Sequence, residues 1–275
     1  MPAPQPPLAD VPLGRRVVVR HRIEDGARAS DVLGELLAQD AASITVRTRS
    51  GPVRVALSDV VAAKQVPHTR WRVEAFLDRV TVAVLDLDGV LRTHDTSGGV
   101  AAAERDLGLE PGGLLTLAAG LPEAGEMIHG RARYADWSAA VSTRLLADGH
   151  GEELVSSAVT AWTSDHGIPI PATLEIVDRR LTQDRPTFVF TNGSDRVAEE
   201  LDSIGLSRLL PHLLNSAELG VPKPDPGAYA AAHAAIEARL RRVVGRGEVG
   251  FTDDRPANVD AARRFGWQGK IFTLP

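Results

Sequence analysis

Two carboxylates separated by one residue follow a short apolar strand, and they are the side chains in this sequence best placed to do chemistry. Residues 82–91 read VAVLDLDGVL, so Asp86 and Asp88 come directly after the predicted strand. Residues i and i+2 of an extended segment project to the same side, which lets both carboxylates reach one reacting group. One of them can attack an electrophile such as phosphorus while the other handles a proton.

The same acid pair has a structural alternative, in which the two aspartates accept hydrogen bonds from the backbone of a turn. It does not match a calcium-binding loop, because Gly89 comes three residues after Asp86 instead of five and no glutamate follows at the twelfth position. The acid pair alone therefore does not distinguish a structural turn from a reactive site, and the other motifs of the sequence are needed for that.

Three further motifs lie beyond predicted strands later in the chain. Thr191 and Asn192 follow a short strand and precede a helix, and helix N-termini favour anions. Lys223 stands between two prolines, which stiffen its backbone. Asp253 and Asp254 follow a strand and precede an alanine-rich helix, where an aspartate can also act as a helix cap. Each motif alone is ordinary, whereas their joint order is not.

The order of the four motifs is acid pair, hydroxyl, lysine, acid pair, with Lys223 32 residues after Thr191 and Asp254 31 residues after Lys223. Across residues 81–275 this set resembles the haloacid dehalogenase-like superfamily of hydrolases. The segment FTDDRPANVDAARRFGW is similar to the sugar-phosphate phosphatases of that superfamily and to the phosphatase domain of soluble epoxide hydrolases.

The resemblance implies a catalytic role for each acid of the first motif. Asp86 would be the nucleophile and would form an aspartyl-phosphate, which divides one displacement into two easier steps. Asp88 would protonate the leaving oxygen and then deprotonate the attacking water. This role predicts surroundings that raise the pKa of Asp88, so that it holds a proton near neutral pH.

The resemblance also implies how the phosphoryl group and a metal would be held. Thr191 and Lys223 would bind the phosphoryl oxygens, assisted by the backbone amides of Leu87 and Asn192. Mg²⁺ would be the cofactor, since the implied ligands are all oxygen atoms. Those ligands are the Asp86 carboxylate, the Asp88 backbone carbonyl and Asp254, with Asp253 either joining them or orienting the lysine. Asn258 would support the acidic loop from one helical turn away.

The element pattern from residue 81 onwards predicts an α/β fold with a doubly wound parallel sheet, because short apolar strands alternate with long helical stretches. Residues 95–183 show almost no strand pattern and are rich in alanine and leucine. They are therefore predicted to form an inserted helical subdomain, similar to the first type of helical cap in the superfamily, giving a hydrolase domain over residues 81–275. Several polar and aromatic side chains are candidates to line the cap and the access to the site: Arg92, His94, His129, Arg131, Tyr134 and Trp137.

Residues 1–68 have a different pattern, with short valine-rich runs separated by turn residues, and predict a small all-β barrel. Residues 12–68 resemble the Src-homology-3-like barrel fused to the front of certain actinobacterial acetyltransferases, although no acetyltransferase domain follows here. The barrel is expected to be a folding module or to dock a protein partner, and residues 69–80 to be a linker. A basic face is the alternative, formed by Arg20, Arg22, Arg47, Arg49 and Arg54.

The composition of the chain limits which other classes of protein it can belong to. The chain has 275 residues, 43% of them hydrophobic, and no cysteine, which excludes disulfides and thiolate zinc sites and makes the cytoplasm the default location. No stretch approaches the roughly 20 apolar residues of a membrane span. Residues 1–80 carry 12 basic and 9 acidic residues and residues 81–275 carry 19 and 27, an asymmetry too mild to predict a nucleic-acid surface.

The function predicted from these observations is a magnesium-dependent phosphatase acting on a small phosphorylated metabolite. Dehalogenases of the superfamily share the nucleophile but act without metal, and they lack the second acid of the first motif and the fourth acid pair, which this chain has. A phosphomutase needs the same core and differs in how its cap excludes water. A non-enzymatic protein, recruited through the barrel, is the remaining alternative.

Overall fold

The computed structural model describes residues 8, 11–23, 28–48, 51–65, 72–94 and 98–274. It divides the chain into two compact units, residues 1–71 and residues 72–275. The two units have different architectures. In the described part of the chain no helix is long and apolar enough to cross a membrane.

The first unit is a five-stranded antiparallel sheet with the strand order β4-β3-β2-β1-β5. Its strands are β1 (Arg16–Ile23), β2 (Arg28–Gln39), β3 (Ser43–Thr48), β4 (Gly51–Ala56) and β5 (Val60–Gln65). Alternate valines of β1, Val17 and Val19, are buried, and the residues on either side of that pair, Arg16 and Arg20, are exposed. This period of two is the pattern of a sheet with one buried face, and it confirms the predicted small all-β unit.

Three of the five arginines of the predicted basic face are paired with acids of adjacent strands or turns. The pairs are Arg20 with Asp31 at 3.3 Å, Arg47 with Glu35 at 3.8 Å and Arg54 with Asp40 at 3.6 Å. Arg49 lies outside the described residues. Each of these three guanidinium groups therefore has a carboxylate beside it that partly offsets its charge.

The second unit is built on a parallel sheet with the strand order β10-β9-β6-β11-β12, which confirms the predicted α/β fold. Its strands are β6 (Val82–Leu85), β9 (Thr187–Thr191), β10 (Leu213–Asn215), β11 (Val249–Asp253) and β12 (Gln268–Ile271). The central strands β6, β9 and β11 are buried at every residue, because helices cover both faces of a parallel sheet.

Helices of the second unit surround this sheet or form the insert. Those in the sheet layers are α1 (Arg72–Leu77), α7 (Pro171–Thr182), α8 (Val197–Ser203), α9 (Ser216–Leu219), α10 (Pro226–Leu240) and α11 (Pro256–Phe265). Short 3₁₀ helices span Leu57–Asp59 in the first unit and Ser207–His212 and Arg246–Glu248 in the second. Tyr229 of α10 lies at the centre of an apolar cluster with Phe190, Phe251 and Trp267.

The helical insert consists of α2 (Gly99–Asp106), α3 (Gly113–Ala119), α4 (Pro122–Ile128), α5 (Tyr134–Ala147) and α6 (Glu152–Thr163). These helices share their own apolar cluster, which includes Leu114, Trp137 and Val141. The two ends of the insert pair with each other as a short antiparallel ribbon, β7 (Arg92–Thr93) with β8 (Ile168–Pro169).

Two boundaries differ from the sequence prediction. The predicted insert extended to residue 183, but α7 packs on the sheet, where the fully buried Arg180 donates to the Leu77 and Pro186 carbonyls. The predicted linker, residues 69–80, includes α1, whose Glu74 pairs with Arg179 of α7 at 2.8 Å; residues 69–71 lie outside the described residues. The prediction separated both helices from the sheet because the local sequence pattern of a helix does not show what it packs against.

Candidate active site

The four motifs meet at one edge of the parallel sheet. Asp86 follows β6, Thr191 ends β9 and Asp253 ends β11, and these three strands are hydrogen-bonded neighbours. Because they are parallel, their carboxyl ends lie at the same edge, where ligands of open α/β sheets bind. Lys223 reaches this edge from the loop between α9 and α10.

The Asp86 carboxylate is buried and accepts two hydrogen bonds at the same oxygen. Its Oδ1 accepts from the Lys223 Nζ and from the Leu87 amide, each at 2.8 Å, and neither of these bonds uses Oδ2. Burial raises the pKa of Asp86 to about 7, against the opposing effect of the Lys223 ammonium. The Leu87 amide, predicted to assist the phosphate, thus donates to the nucleophile candidate in this structure.

Lys223 is almost completely buried and uses all three of its N–H groups. Its Nζ donates to Asp86 Oδ1 at 2.8 Å, to Asp253 Oδ2 at 2.8 Å and to the Phe190 carbonyl at 2.7 Å. An ammonium has three donors, so a phosphoryl oxygen arriving here would share or replace one of these acceptors. Burial lowers the pKa of Lys223, but the carboxylates of Asp86 and Asp253 outweigh it and keep the pKa above its ordinary value.

The Asp253 carboxylate accepts hydrogen bonds from three residues. Besides the lysine, it accepts from the Asn258 amide at 2.9 Å and from the Arg255 backbone N–H at 2.8 Å. These donors, led by Lys223, lower its pKa although burial alone would raise it. Of the two roles predicted for Asp253, the bonds favour orienting the lysine, and Asn258 supports the loop from α11 as expected.

Asn192 connects the strand end of the second motif to the lysine loop. Its side-chain amide donates to the Lys223 carbonyl at 2.7 Å, and its Oδ1 accepts from the Lys223 N–H at 2.8 Å. This pair of bonds fixes the backbone of the lysine, a function that the sequence did not reveal. The hydroxyl of buried Thr191 makes no hydrogen bond within the described part of the chain, so it is free to donate to a ligand.

Three carboxylates form a candidate metal centre. Among the residues the structure describes, Asp86, Asp253 and Asp254 place one oxygen each within 4.8 Å of one another. Burial, and then the charge of Asp253, raise the pKa of Asp254. A divalent cation would offset that repulsion, and an all-oxygen donor set is the kind that Mg²⁺ prefers. The residues present therefore fit magnesium.

Gly89 allows the first motif and the acidic loop to approach each other. A Cβ at this position would lie 2.4 Å from Asp254 Oδ2, and the backbone φ is +78°. Only glycine adopts this conformation readily, and no larger residue would leave room for the carboxylate.

A Gly89→Ala variant is expected to bind Mg²⁺ more weakly, because the new methyl group displaces the Asp254 carboxylate. Magnesium titrations by calorimetry should show this loss directly. Gly205→Ala is the matched control: its φ is +75°, but nothing lies within 4 Å of the added Cβ. Both variants carry about 1–2 kcal/mol of backbone strain. Equal magnesium affinity in the two would contradict this role of Gly89.

The environment of Asp88 differs from the prediction. Its pKa was expected to be raised, and that expectation is wrong for this structure. Burial acts in the raising direction, but hydrogen bonds and charges from His94 and Arg92 outweigh it and lower the pKa of Asp88 to about 2. Arg92 Nε lies 2.6 Å from Asp88 Oδ1, and His94 Nε2 lies 3.4 Å from the same oxygen.

Of four candidate cap residues, one contributes to the contact between the helical insert and the rest of the second unit, and three make contacts within the insert. The Tyr134 backbone N–H donates to Asp195 at 2.8 Å, and its ring lies under the Arg196 guanidinium. Trp137 is buried in the insert and donates to the Ala118 carbonyl. The other two form local contacts: His129 with the Gly125 carbonyl and Arg131 with Glu126.

Comparison with known proteins gives a family for each unit. Residues 80–266 match the family model for haloacid dehalogenase-like hydrolases, and residues 11–64 match that of the Rv0428c N-terminal Sm-like domain. The second match places the barrel in a named class of small β domains. No curated protein matches the chain.

Solved structures with a similar fold include the following two enzymes. One is the haloacid dehalogenase family enzyme BT-2542 from Bacteroides thetaiotaomicron, an aspartate-to-alanine variant in complex with magnesium and inorganic phosphate. It is 14% identical with a TM-score of 0.51, and the match covers 71% of this chain and 94% of that one. Another is a dehalogenase, 21% identical with a TM-score of 0.52, covering 69% and 83%. At sequence identities this low, the similarity to these two structures shows a shared fold and nothing about the reaction.

Proposed function

This chain belongs to the haloacid dehalogenase-like hydrolases, and from that premise we propose that it is a magnesium-dependent phosphatase acting on a small phosphorylated metabolite. The observation that carries the proposal is the meeting of Asp86, Lys223 and Asp254 at one sheet edge. A nucleophilic carboxylate, a buried ammonium and a further acid suited to a divalent cation are what phosphoryl transfer to a carboxylate requires.

In the first step Asp86 attacks the phosphorus of the substrate. A bond forms between a carboxylate oxygen and phosphorus while the bond from phosphorus to the leaving oxygen breaks. The leaving oxygen keeps the electron pair and departs as an anion, or takes a solvent proton relayed by Asp88, whose carboxylate is ionised before substrate binds. Thr191 and the amides near it hold the phosphoryl oxygens, and Lys223 offsets their negative charge.

In the second step water hydrolyses the aspartyl-phosphate. The water oxygen bonds to phosphorus, its proton passes to the Asp88 carboxylate, and the bond from phosphorus to Asp86 breaks with the electron pair returning to Asp86. The donors on Asp88 Oδ1 support this step, because they favour the ionised carboxylate that accepts a proton. Asp88 then releases this proton to solvent, and the products are inorganic phosphate and the original enzyme.

Magnesium would be held by the Asp86 carboxylate, the Asp88 backbone carbonyl and Asp254, with Asp253 close by. When bound, it would stabilise negative charge on the phosphoryl oxygens and align the group with the nucleophile. The protein itself orients the nucleophile, because Lys223 and Leu87 both donate to Asp86. It also fixes Lys223 through hydrogen bonds to Asp253 and Asn192.

The helical insert supports a small substrate. Its helix α4 contacts α9 of the sheet unit, and a Cβ on Gly130 would lie 2.1 Å from the Ala217 carbonyl oxygen. An insert docked this closely on the sheet unit encloses a leaving group, which disfavours polymeric substrates. Tyr134 of the insert makes a further contact, with Arg196, which follows the second motif along the chain.

The test is phosphate release from p-nitrophenyl phosphate with Mg²⁺ and with EDTA, followed by a panel of sugar phosphates and other phosphorylated metabolites. We expect hydrolysis that requires the metal and one substrate class turned over well above the rest. Absence of phosphate release across the panel would reject the proposal.

Two outcomes would point to the other chemistries of the family. Chloride release from a 2-chloro acid without metal would indicate a dehalogenase. Isomerisation of a sugar phosphate in the presence of a bisphosphorylated activator, without free phosphate, would indicate a phosphomutase. A chain that binds phosphate but turns over none of these substrates would have a binding or regulatory function.

A further inference from the structure

Arg92 is a buried arginine at the junction between the first motif and the insert. We propose that Arg92 is a positioning residue that holds Asp88 for hydrolysis of the aspartyl-phosphate. This inference rests on the proposed function and concerns its second step. Arg92 touches neither Asp86 nor Lys223 among the contacts of the site, so it would act through Asp88.

The guanidinium of Arg92 is held at three points. Its Nε donates to Asp88 Oδ1 at 2.6 Å, and its Nη1 donates to Glu200 Oε2 at 2.8 Å and to the His166 carbonyl at 3.1 Å. Its side chain is only 5% exposed. A planar group bonded at both ends has one orientation available, and that orientation fixes the direction from which Asp88 is bonded.

The partners of Arg92 come from separate parts of the unit. Glu200 lies on α8 of the sheet unit and is buried, whereas His166 lies on the chain returning from the insert. The Arg92 backbone is also fixed, since it pairs with Pro169 in the β7–β8 ribbon. These anchors lie outside the catalytic loop and hold Arg92 in addition to its backbone hydrogen bonds with Leu87 and Gly89.

Asp88 needs such support. Its side chain is 45% exposed, in contrast to the buried carboxylates of Asp86 and Asp253. A half-exposed aspartate has several rotamers available to it, and only some of them place an oxygen next to the attacking water. His94 also contacts Asp88, but at 3.4 Å and with an exposed ring, so Arg92 provides the firmer constraint.

The expected consequence of losing Arg92 is specific to one step. With p-nitrophenyl phosphate the leaving group is stable as an anion, so attack by Asp86 needs no proton from Asp88. Deprotonation of the water does need Asp88. Without Arg92, formation of the aspartyl-phosphate should continue while its hydrolysis slows by roughly 10²-fold, the lower end of what a positioned general base contributes.

The experiment compares wild type, Arg92→Gln and Arg92→Gln/Glu200→Gln by rapid mixing with p-nitrophenyl phosphate and Mg²⁺. The double variant removes both charges of the buried pair, which keeps the test valid if Glu200 without its partner prevents folding. We expect a burst of about one equivalent of p-nitrophenolate per site and then slow turnover. Mass spectrometry of acid-quenched enzyme should find the phosphoryl group on the peptide containing Asp86.

Two arginine variants separate positioning from stability. Arg180→Gln removes a buried arginine that bonds only structural groups, so it should lower burst and steady-state rates together, through fewer folded molecules. Arg208→Gln removes an exposed pair with Asp178 and should change neither rate.

The inference is overturned if the Arg92 variants lose both phases in proportion, as Arg180→Gln should, or if their hydrolysis step is unchanged. Failure of the proposed function gives a different result, in which wild type itself releases no phosphate; the inference then fails with it. Accumulation of phosphorylated Asp86 in the variants, with active wild type, supports both.

Discussion

An Asp86→Asn variant is expected to lose turnover by roughly 10⁴- to 10⁶-fold, the range found when a covalent nucleophile or its partner is removed. An amide oxygen does not attack phosphorus at a useful rate, so no aspartyl-phosphate forms. Phosphate release with Mg²⁺, measured at substrate saturation, reports the effect, and acid-quenched samples should contain no phosphorylated protein.

The same variant should fold as well as wild type. Asp86 is buried and its pKa is raised to about 7 by that burial, so an uncharged amide of nearly the same size removes a desolvation cost. Lys223 keeps Asp253 as its partner. Mass spectrometry must exclude reversion of the asparagine to aspartate, and Asp260→Asn, at an exposed pair with Arg263, serves as control. Wild-type turnover in Asp86→Asn would reject the nucleophile assignment.

A Lys223→Met variant is expected to lose both activity and stability. Its side chain is 1% exposed and pairs with Asp86 and Asp253, so methionine would leave two buried carboxylates without a counter-charge. Breaking a buried ion pair from one side costs about 3–5 kcal/mol. Denaturant unfolding should measure this loss, and Lys270→Met, on the edge strand β12, provides the control among the few lysines of the chain.

The stability loss in Lys223→Met should grow with pH. Without the ammonium, burial raises the pKa of Asp86 and Asp253 in the folded state above their values in the unfolded chain. An acid with a raised folded pKa contributes stability at low pH, where it is protonated, and that stability is lost as the pH rises through the folded pKa. The variant should therefore be closer to wild type at about pH 5 than at about pH 8. A loss independent of pH would contradict the placement of both carboxylates beside this lysine.

The four motifs could be predicted from the sequence because each lies directly after a strand or in a rigid loop. Asp86, Thr191 and Asp253 end neighbouring strands, so local pattern and the geometry of parallel sheets suffice to bring them together. The antiparallel sheet of the first unit could also be predicted from the sequence. The alternation of valines with polar residues is visible in β1 itself, where Val17 and Val19 are buried.

The surroundings of Asp88 could not be predicted in the same way. Arg92 is only four residues from Asp88, but its other partners, His166 and Glu200, are 74 and 108 residues from it along the chain. No spacing rule connects such positions. The pKa of Asp88 is lowered by its near neighbours His94 and Arg92, and the prediction failed because it considered the role of Asp88 without them. The same cause placed α7 in the insert, since its bonds to Leu77 and Pro186 are not visible in the helical pattern.

The short β7–β8 ribbon has a consequence for protein engineering. Arg92 pairs with Pro169 and Thr93 with Ile168, so the chain leaves the sheet unit and returns to it through adjacent residues. Connecting two antiparallel strands requires only a turn of two to five residues. The helices from α2 to α6 can therefore be exchanged for those of another protein, or for a single turn, by joining two points that already lie side by side.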